Sequence, residues 1–496
     1  MALKFGTSGV RGLVSEMTDR ECIAYTRAFI HYLRAACQSR GRGPTAIYTA
    51  GDLRSSTPRI LKAVAFAIQR EGLNLQHCGC IPTPALIHYA MQADQASIMV
   101  TGSHIPDDRN GIKFNLPWGE VLKDDEHQIT LLYNRLRGAP CVACEAALTA
   151  DGMLETLLAD QPLAQNDDGC AQRLYAERYA SYFEPGCLKD LRVVFYEHSS
   201  AARDIAPPLL EALGARVIKV GRSNTFIPVD TEAVEDTEQL QQWIRESVAH
   251  GLVSTDGDGD RPLVVDEKGS VIRGDVLGML CADFLQADSI VTPVSSNTAV
   301  ERCGRFAVER TRIGSPYVVA AMADASRKGR RRVVGYEANG GFFTASEIPN
   351  AKNDTVLRAL PTRDALLPIL ACLAMAAERG ALSSLAKTFP ARFTASGIVR
   401  HFPLQTARRI LDSIRQDPDG SLGKHFVDEF GPVGTCDFTD GARMVFASGD
   451  IVHLRPSGNA PEFRCYTESI SPQQAQANNR KALQLVVDVL QPEIEP

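Results

Sequence analysis

The chain has 496 residues, 44% of them hydrophobic and 23% charged, and a formal net charge of −6. That length exceeds what one compact core serves and predicts two to four domains. The acidic balance argues against a nucleic-acid binder, although a local basic pocket for an anionic ligand stays open.

The 13 cysteines are scattered, Cys78 and Cys80 standing closest, and read as reduced, buried thiols in the cytosol, with no structural zinc expected. The opening Met1–Gly6 has no apolar stretch of the signal-peptide kind. The longest apolar run, 365–377, is too short to span a bilayer and contains Pro368, so it reads as a buried helix. The expectation is a cytoplasmic protein, monomer or dimer, with no nucleic-acid or membrane partner.

In chain order, Thr18 to Glu21 reads as a capping box opening a helix on Ile23, Phe29, Ile30, Leu33 and Cys37. Residues 45–50 read as a strand. Ser56-Thr57-Pro58 opens a helix by a hydroxyl cap and a first-turn proline. A short buried strand over 97–101 runs into Gly102-Ser103-His104. Residues 138–169 lose the pattern and read as a boundary with one helix. Strands over 191–196, 216–220 and 251–255 follow, with a helix over 207–213. A further α/β block from 288 to about 380 includes strands over 290–294 and 332–336. Beyond Phe389 the strands 392–400, 442–447, 451–455 and 463–468 and a helix from Ser471 suggest a small α+β unit. Alternating strands and helices mean an α/β class. Four domains result, over 1–150, 165–266, 267–385 and 388–496, the last being α+β.

Four segments carry chemistry. Asp256-Gly257-Asp258-Gly259-Asp260-Arg261 sets three carboxylates on alternate residues, and its glycines let the backbone loop so that they converge on one hard cation. A calcium EF-hand fails, because Arg261 takes the place of the sharp-turn glycine and residues 262–265 read as strand. Magnesium held by three carboxylates keeps positions open for a phosphate oxygen, which suits phosphoryl transfer. Second, Ser103 follows a buried strand's carboxyl end, where open α/β sheets bind ligands, with His104 and Lys113 close in sequence for proton transfer. Third, Arg455-Pro456-Ser457-Gly458-Asn459, with Arg464 beyond, can cradle a phosphate. Fourth, Glu337-Ala338-Asn339-Gly340 at a strand end suits adjacent sugar hydroxyls. Taken singly, the last two read equally well or better as surface turns.

In their order, these segments resemble the α-D-phosphohexomutase superfamily from residue 3 to about 470. Phe5 to Gly12 resembles its opening motif, Thr101 to Pro106 its phosphoserine motif, and Gly79 to Pro84 and Gly274-Asp275 further points of likeness. The resemblance implies three similar mixed-sheet α/β domains and a divergent fourth around a central cleft. It also implies that phospho-Ser103 phosphorylates a hexose 1- or 6-phosphate, that the 1,6-bisphosphate turns round, and that the other phosphate returns to Ser103. Asp256, Asp258, Asp260 and a phosphoserine oxygen would hold Mg²⁺, with Arg11 and Arg261 adding positive charge. Lys113 is the first choice for acid–base work, through a pKa lowered by neighbouring cations, and His104 the second. Glu337 and Asn339 would bind the sugar, and Arg455, Ser457, Gly458, Asn459 and Arg464 the idle phosphate.

The chain departs from the family pattern at Ile105, where asparagine is common, and at Arg109, where an aromatic is common. It departs again at Asn459-Ala460, in place of Thr-Glu, and at the Glu-Ala-Asn-Gly loop, which is similar to that of N-acetylglucosamine-phosphate mutases. Mannose or glucose is expected first and N-acetylglucosamine second. A metal-dependent phosphatase using the same serine is the enzymatic rival; a second phosphate site at Arg455 speaks against it.

Overall fold

The same supersecondary unit is laid down three times along the chain, and each copy turns a functional loop toward a common cleft. In the computed structural model, residues 3–6, 9–138, 141–161, 163–234, 236–417, 421–457 and 461–491 are described. In each copy a central strand pairs in parallel with an outer and an inner strand, and the inner strand pairs antiparallel with the next one along the chain. In the first sheet these four are Ala46–Gly51, Asn74–Cys80, Ala96–Val100 and Arg109–Leu116. In the second they are Arg192–Tyr196, Arg216–Val220, Gly251–Thr255 and Pro262–Asp266. In the third they are Ser289–Pro293, Ala307–Thr311, Val333–Tyr336 and Phe342–Thr344. Short antiparallel strands extend the first sheet to seven and the other two to five. The sheets are therefore mixed.

The inner strands are short and apolar, and every residue of 96–100, 251–255 and 333–336 is buried. Helices cover both faces of such strands. One apolar core spans the second and third sheets and reaches Ala85, Leu86 and Met99 of the first, while another fills the rest of the first. The run around Pro368 is the helix Leu366–Arg379, buried at every position from Leu366 to Ala376. Its proline falls in the first turn, where no intrahelical N–H is lost. Among the described residues no single helix is long and apolar enough to cross a membrane. The C-terminal sheet is antiparallel throughout, in the order Phe393–Arg400, Glu462–Ser469, Ile451–Pro456, Ala442–Phe446, Val433–Asp437, with its own core.

Several local expectations need correction. Thr18 does cap its helix, accepting from the Glu21 N–H at 3.4 Å, but the Glu21 carboxylate turns to Tyr133 and Arg137 instead of closing the box. Ser56 makes no cap bond; its hydroxyl accepts from Asn110 Nδ2 at 2.8 Å. The stretch 138–169 holds two four-residue helices, Val142–Glu145 and Thr156–Ala159, rather than one. Helices Thr237–Ser247, Leu404–Gln416 and Ser421–Phe430 add to those the sequence predicts. All cysteines are free, but only seven of the thirteen are buried, and Cys141 and Cys144 do share a C-x-x-C spacing. Burial and the neighbouring Cys141 push the Cys144 thiol up to about 11, which keeps it a neutral thiol.

Candidate active site

Each functional loop lies where the inner parallel strand hands over to its antiparallel neighbour. Residues 101–108 do so in the first sheet, 256–261 in the second and 337–341 in the third. Ser103 sits in the first of these with φ +59°, a left-handed backbone that costs a non-glycine residue on the order of 1 kcal/mol. Its Oγ donates to Asp256 Oδ2 at 2.5 Å and lies 3.3 Å from His104 Nδ1.

The residue that holds this loop is Arg54, one of the most buried large side chains in the molecule. Its Nε donates to Asp52 at 3.1 Å. Its Nη atoms donate to the carbonyls of Ser103, Ile105, Pro106 and Arg109 at 2.5–3.0 Å. All five guanidinium donors are thereby used. Asp52 also accepts from Thr57 Oγ1 at 2.7 Å and Thr101 Oγ1 at 2.6 Å. The departures at Ile105 and Arg109 are thus tolerated by construction, since the loop uses their backbone oxygens.

The second loop meets the first head-on. A Cβ on Gly257 would stand 2.7 Å from the Ser103 carbonyl, so only glycine allows the approach. Asp256, Asp258 and Asp260 are buried, with carboxylate oxygens within 4.8 Å of one another. The Asp256 Oδ1 accepts from the N–H groups of Asp260 and Arg261 at 3.1 and 3.2 Å, which closes the turn. The segment Gly79 to Pro84 braces this loop from the first domain. Thr83, opening the helix Thr83–Gln92, gives its N–H to the Asp258 carbonyl at 2.9 Å and its hydroxyl to Asp258 Oδ2. The Asp258 and Asp260 Oδ1 atoms are buried with no hydrogen-bond partner. Orphaned anionic oxygens cost several kcal/mol unless something cationic satisfies them, and an all-oxygen donor set suits a hard dication. The residues fit a metal.

Positive charge surrounds the triad. Burial would raise the Asp260 carboxyl, but Arg363, Lys113 and Arg261 outweigh it and hold it well below the usual range. Asp256 is pushed well above that range by burial and by its two fellow aspartates. Lys113 does not have the lowered pKa expected of it. Its Nζ lies 2.6 Å from Asp258 and 2.7 Å from Asp260, and against the opposing effect of burial these carboxylates raise it. His104 goes the other way: burial first, then Arg261 and Arg11, hold its imidazole far below the ordinary histidine range, hence neutral. Burial, Arg261 and Arg363 bring Arg11 down to about 10.

A cavity of about 640 Å³ runs from beside this cluster to the C-terminal sheet. Arg11, His104, Arg261, Glu337, Asn339 and Arg363 line it from the α/β sheets, and Arg400, Arg455, Ser457, Arg464 and Tyr466 from the C-terminal sheet, while Ser103, Lys113 and the three aspartates lie behind its wall. Arg363 joins two loops, donating to Asp260 at 3.0 Å and to Glu337 at 3.2 Å. Asn339 Oδ1 accepts from the Gly341 N–H at 2.9 Å, which leaves its amide N–H groups as donors. Gly274 packs against this loop so closely that a Cβ would lie 2.3 Å from the Gly340 nitrogen. At the far end Arg455 and Arg464 are direct cross-strand neighbours, an arrangement like charges disfavour without an anion between them. Gly458 and Asn459 lie outside the described residues.

The structure therefore brings together Ser103, His104, Lys113, Arg11, Arg261 and the three aspartates, and sets Glu337 and Asn339 in the wall of the same cavity as Arg455, Ser457 and Arg464. The sequence reading missed Arg54, Asp52, Thr83, Arg363 and Arg400. The available signal for Arg54 was its place just past the buried strand end at Gly51, and for Arg363 its presence within an otherwise buried strand.

Family models for the α/β/α domains I, II and III of phosphoglucomutase/phosphomannomutase match residues 2–137, 174–269 and 273–393. A phosphomannomutase of Sinorhizobium fredii is 41% identical over 482 residues, 96% of this chain and 97% of that one. One from Salmonella muenchen is 40% identical over 481 residues, 95% and 93% of the two chains. The crystal structure of a phosphoglucomutase/phosphomannomutase family protein from Burkholderia thailandensis has a TM-score of 0.71 at 20% identity, covering 96% of each chain. Fold and matches together define a phosphohexomutase, an enzyme of the intramolecular phosphotransferase class. The chain belongs to the phosphoglucomutase/phosphomannomutase family of the α-D-phosphohexomutases.

Proposed function

We propose that this phosphohexomutase interconverts hexose 1-phosphate and hexose 6-phosphate through phospho-Ser103 and a hexose 1,6-bisphosphate, with mannose or glucose as the sugar. One observation carries the reading: a single cavity is lined both by His104, whose Nδ1 lies 3.3 Å from Ser103 Oγ, and by the Arg455–Arg464 pair of the C-terminal sheet. A phosphatase needs the first end only. Identities of 41% and 40% to two phosphomannomutases favour mannose. The free amide donors of Asn339 favour N-acetylglucosamine as the second reading, since they can meet an acetamido oxygen.

Asp256, Asp258 and Asp260, with an oxygen on Ser103, would hold Mg²⁺, which when bound supplies charge neutralisation on the phosphoryl group. The chain's own groups do the rest. A sugar hydroxyl oxygen attacks the phosphorus, and the bond from phosphorus to Ser103 Oγ breaks. Arg11 and Arg261 face the charge that spreads over the phosphoryl oxygens. His104 takes the hydroxyl proton, because it lines the cavity beside Ser103, whereas Lys113 is committed to two aspartates. Glu337 and Asn339 orient the sugar ring, and Arg455, Ser457 and Arg464 hold the phosphate that is not reacting. After the bisphosphate turns round, its other phosphate returns to Ser103 and His104 gives the proton back.

The test is a mutase assay with Mg²⁺ and catalytic bisphosphate on mannose, glucose and N-acetylglucosamine 1-phosphates. Conversion of mannose or glucose 1-phosphate supports the proposal, and preference for N-acetylglucosamine selects the second reading. Release of inorganic phosphate without isomerisation would leave the phosphatase standing.

A further inference from the structure

Resting on the reading of the Arg455 end as the phosphate grip, we infer that Asp440 is a positioning residue that aims Arg455 and latches the C-terminal sheet to the third. Its two carboxylate oxygens serve two sheets. Oδ1 accepts from Arg455 Nε at 2.9 Å, and Oδ2 accepts from the backbone N–H of Ile313, just beyond the outer strand Ala307–Thr311, at 2.9 Å. Beside it Arg312 Nε donates to the Thr439 carbonyl at 3.2 Å. Arg455 and Ile313 both line the cavity, while Asp440 does not, so it reaches a ligand only through Arg455.

The chemistry of the guanidinium makes this arrangement useful. With Nε engaged by Asp440, the plane of the fork is fixed and the two terminal nitrogens are left for a phosphate. The carboxylate also offsets the repulsion between Arg455 and Arg464 across the strands. Because one carboxylate makes both contacts, any undocking of the sheet that broke the Ile313 bond would free Asp440 to rotate and loosen Arg455 with it. Grip on the phosphate and docking of the sheet are thereby coupled. A bisphosphate that must let go and turn round needs this kind of grip, firm when docked and weak when not.

The experiment compares wild type, Asp440→Asn, Arg455→Met and the double variant, in the full chain. Affinity for inorganic phosphate is measured by titration calorimetry, and KM, kcat and bisphosphate escape per turnover in the mutase assay. For Asp440→Asn, phosphate affinity should fall about tenfold and KM rise about tenfold, as for loss of one charge-assisted hydrogen bond, with kcat changed less than about threefold. Bisphosphate escape should rise in step with KM. In the Arg455→Met background, adding Asp440→Asn should leave phosphate affinity where it stands. Unchanged phosphate affinity, a fall in kcat with KM intact, or additive effects in the double variant would overturn the inference. Wild type without mutase activity would sink the proposed reaction, while the phosphate titrations would still judge Asp440.

Discussion

The two ends of the cavity are built on opposite principles. At the Ser103 end most strong groups already have protein partners: Arg54 uses all five donors, Lys113 bridges two aspartates, and Arg363 ties Asp260 to Glu337, while Arg11 and Arg261 each keep a buried Nε without a hydrogen-bond partner. At the Arg455 end two arginines face each other across neighbouring strands, each with a single carboxylate partner, Asp440 for Arg455 and Glu462 for Arg464, and Arg464 keeps a buried Nε without a hydrogen-bond partner. The first end is largely built before any substrate arrives, with the orphaned carboxylate oxygens left for a cation and the Arg11 and Arg261 Nε groups left for an anion. The second is completed by the phosphate. Preorganisation suits the end where charge moves in the transition state, and incompleteness suits the end that must release and recapture.

The sharpest way to break this contrast is at Ser103. Ser103→Ala should lower turnover by more than about 10⁴-fold while leaving phosphate binding at Arg455 within about twofold. Loss of both together, by assay and titration, would mean the ends are not separate. Chelation of divalent metal should likewise abolish turnover. Restoring Mg²⁺ to about 100 times its dissociation constant should add about 2.7 kcal/mol to unfolding free energy, read by denaturant titration. A protein indifferent to Mg²⁺ would remove the cation from the Ser103 end.

Arg54→Lys tests whether that end is held by its guanidinium. Three donors cannot replace five, so stability should drop by about 3–5 kcal/mol and turnover with it. Retention of full stability would show that the four carbonyls find other donors.

A last effect, on stability alone, concerns pH. His198, bonded to the Thr255 carbonyl, and His453, bonded to that of Asp440, are both brought down to about 4 by burial. Between that value and the ordinary 6.5 the unfolded chain binds a proton that the folded chain refuses. Their contribution to stability is thus complete above pH 6.5 and lost as pH falls toward 4, roughly 3 kcal/mol for each. His453→Gln should flatten that acid limb for the C-terminal sheet while leaving the His198 share in place. An unchanged limb would exclude His453 as its source.

How much of this was readable from the sequence follows from how the groups are held. The loops themselves were legible, because glycines and charged residues interrupt apolar strands at Gly102-Ser103, Asp256–Arg261 and Glu337–Gly341. Their equivalence was not, since it depends on strand order, which local pattern does not encode. Ser103 and Asp256 are 153 residues apart, and only their shared likeness to a family put them together in advance. The direction of the Lys113 shift was not legible because its partners come from another sheet; the resemblance set cations beside it, whereas its nearest neighbours in space are the carboxylates of Asp258 and Asp260. Asp440 carried no signal, and Arg54 only its place past a strand end, for a different reason: each acts through backbone groups or through another side chain, and neither stands in a motif that carries chemistry of its own. The helix Leu404–Gln416 was legible, with Thr406, Ala407, Ile410 and Ile414 at helical spacing.

The most direct test follows one phosphoryl group. Protein carrying labelled phosphate on Ser103, mapped by peptide mass spectrometry, would be mixed with unlabelled mannose 1-phosphate in a single turnover with Mg²⁺. The expected result is label in the sugar 6-phosphate and an unlabelled phosphate left on Ser103. Label released as inorganic phosphate, or isomerisation with the label still on the protein, would contradict the transfer through Ser103.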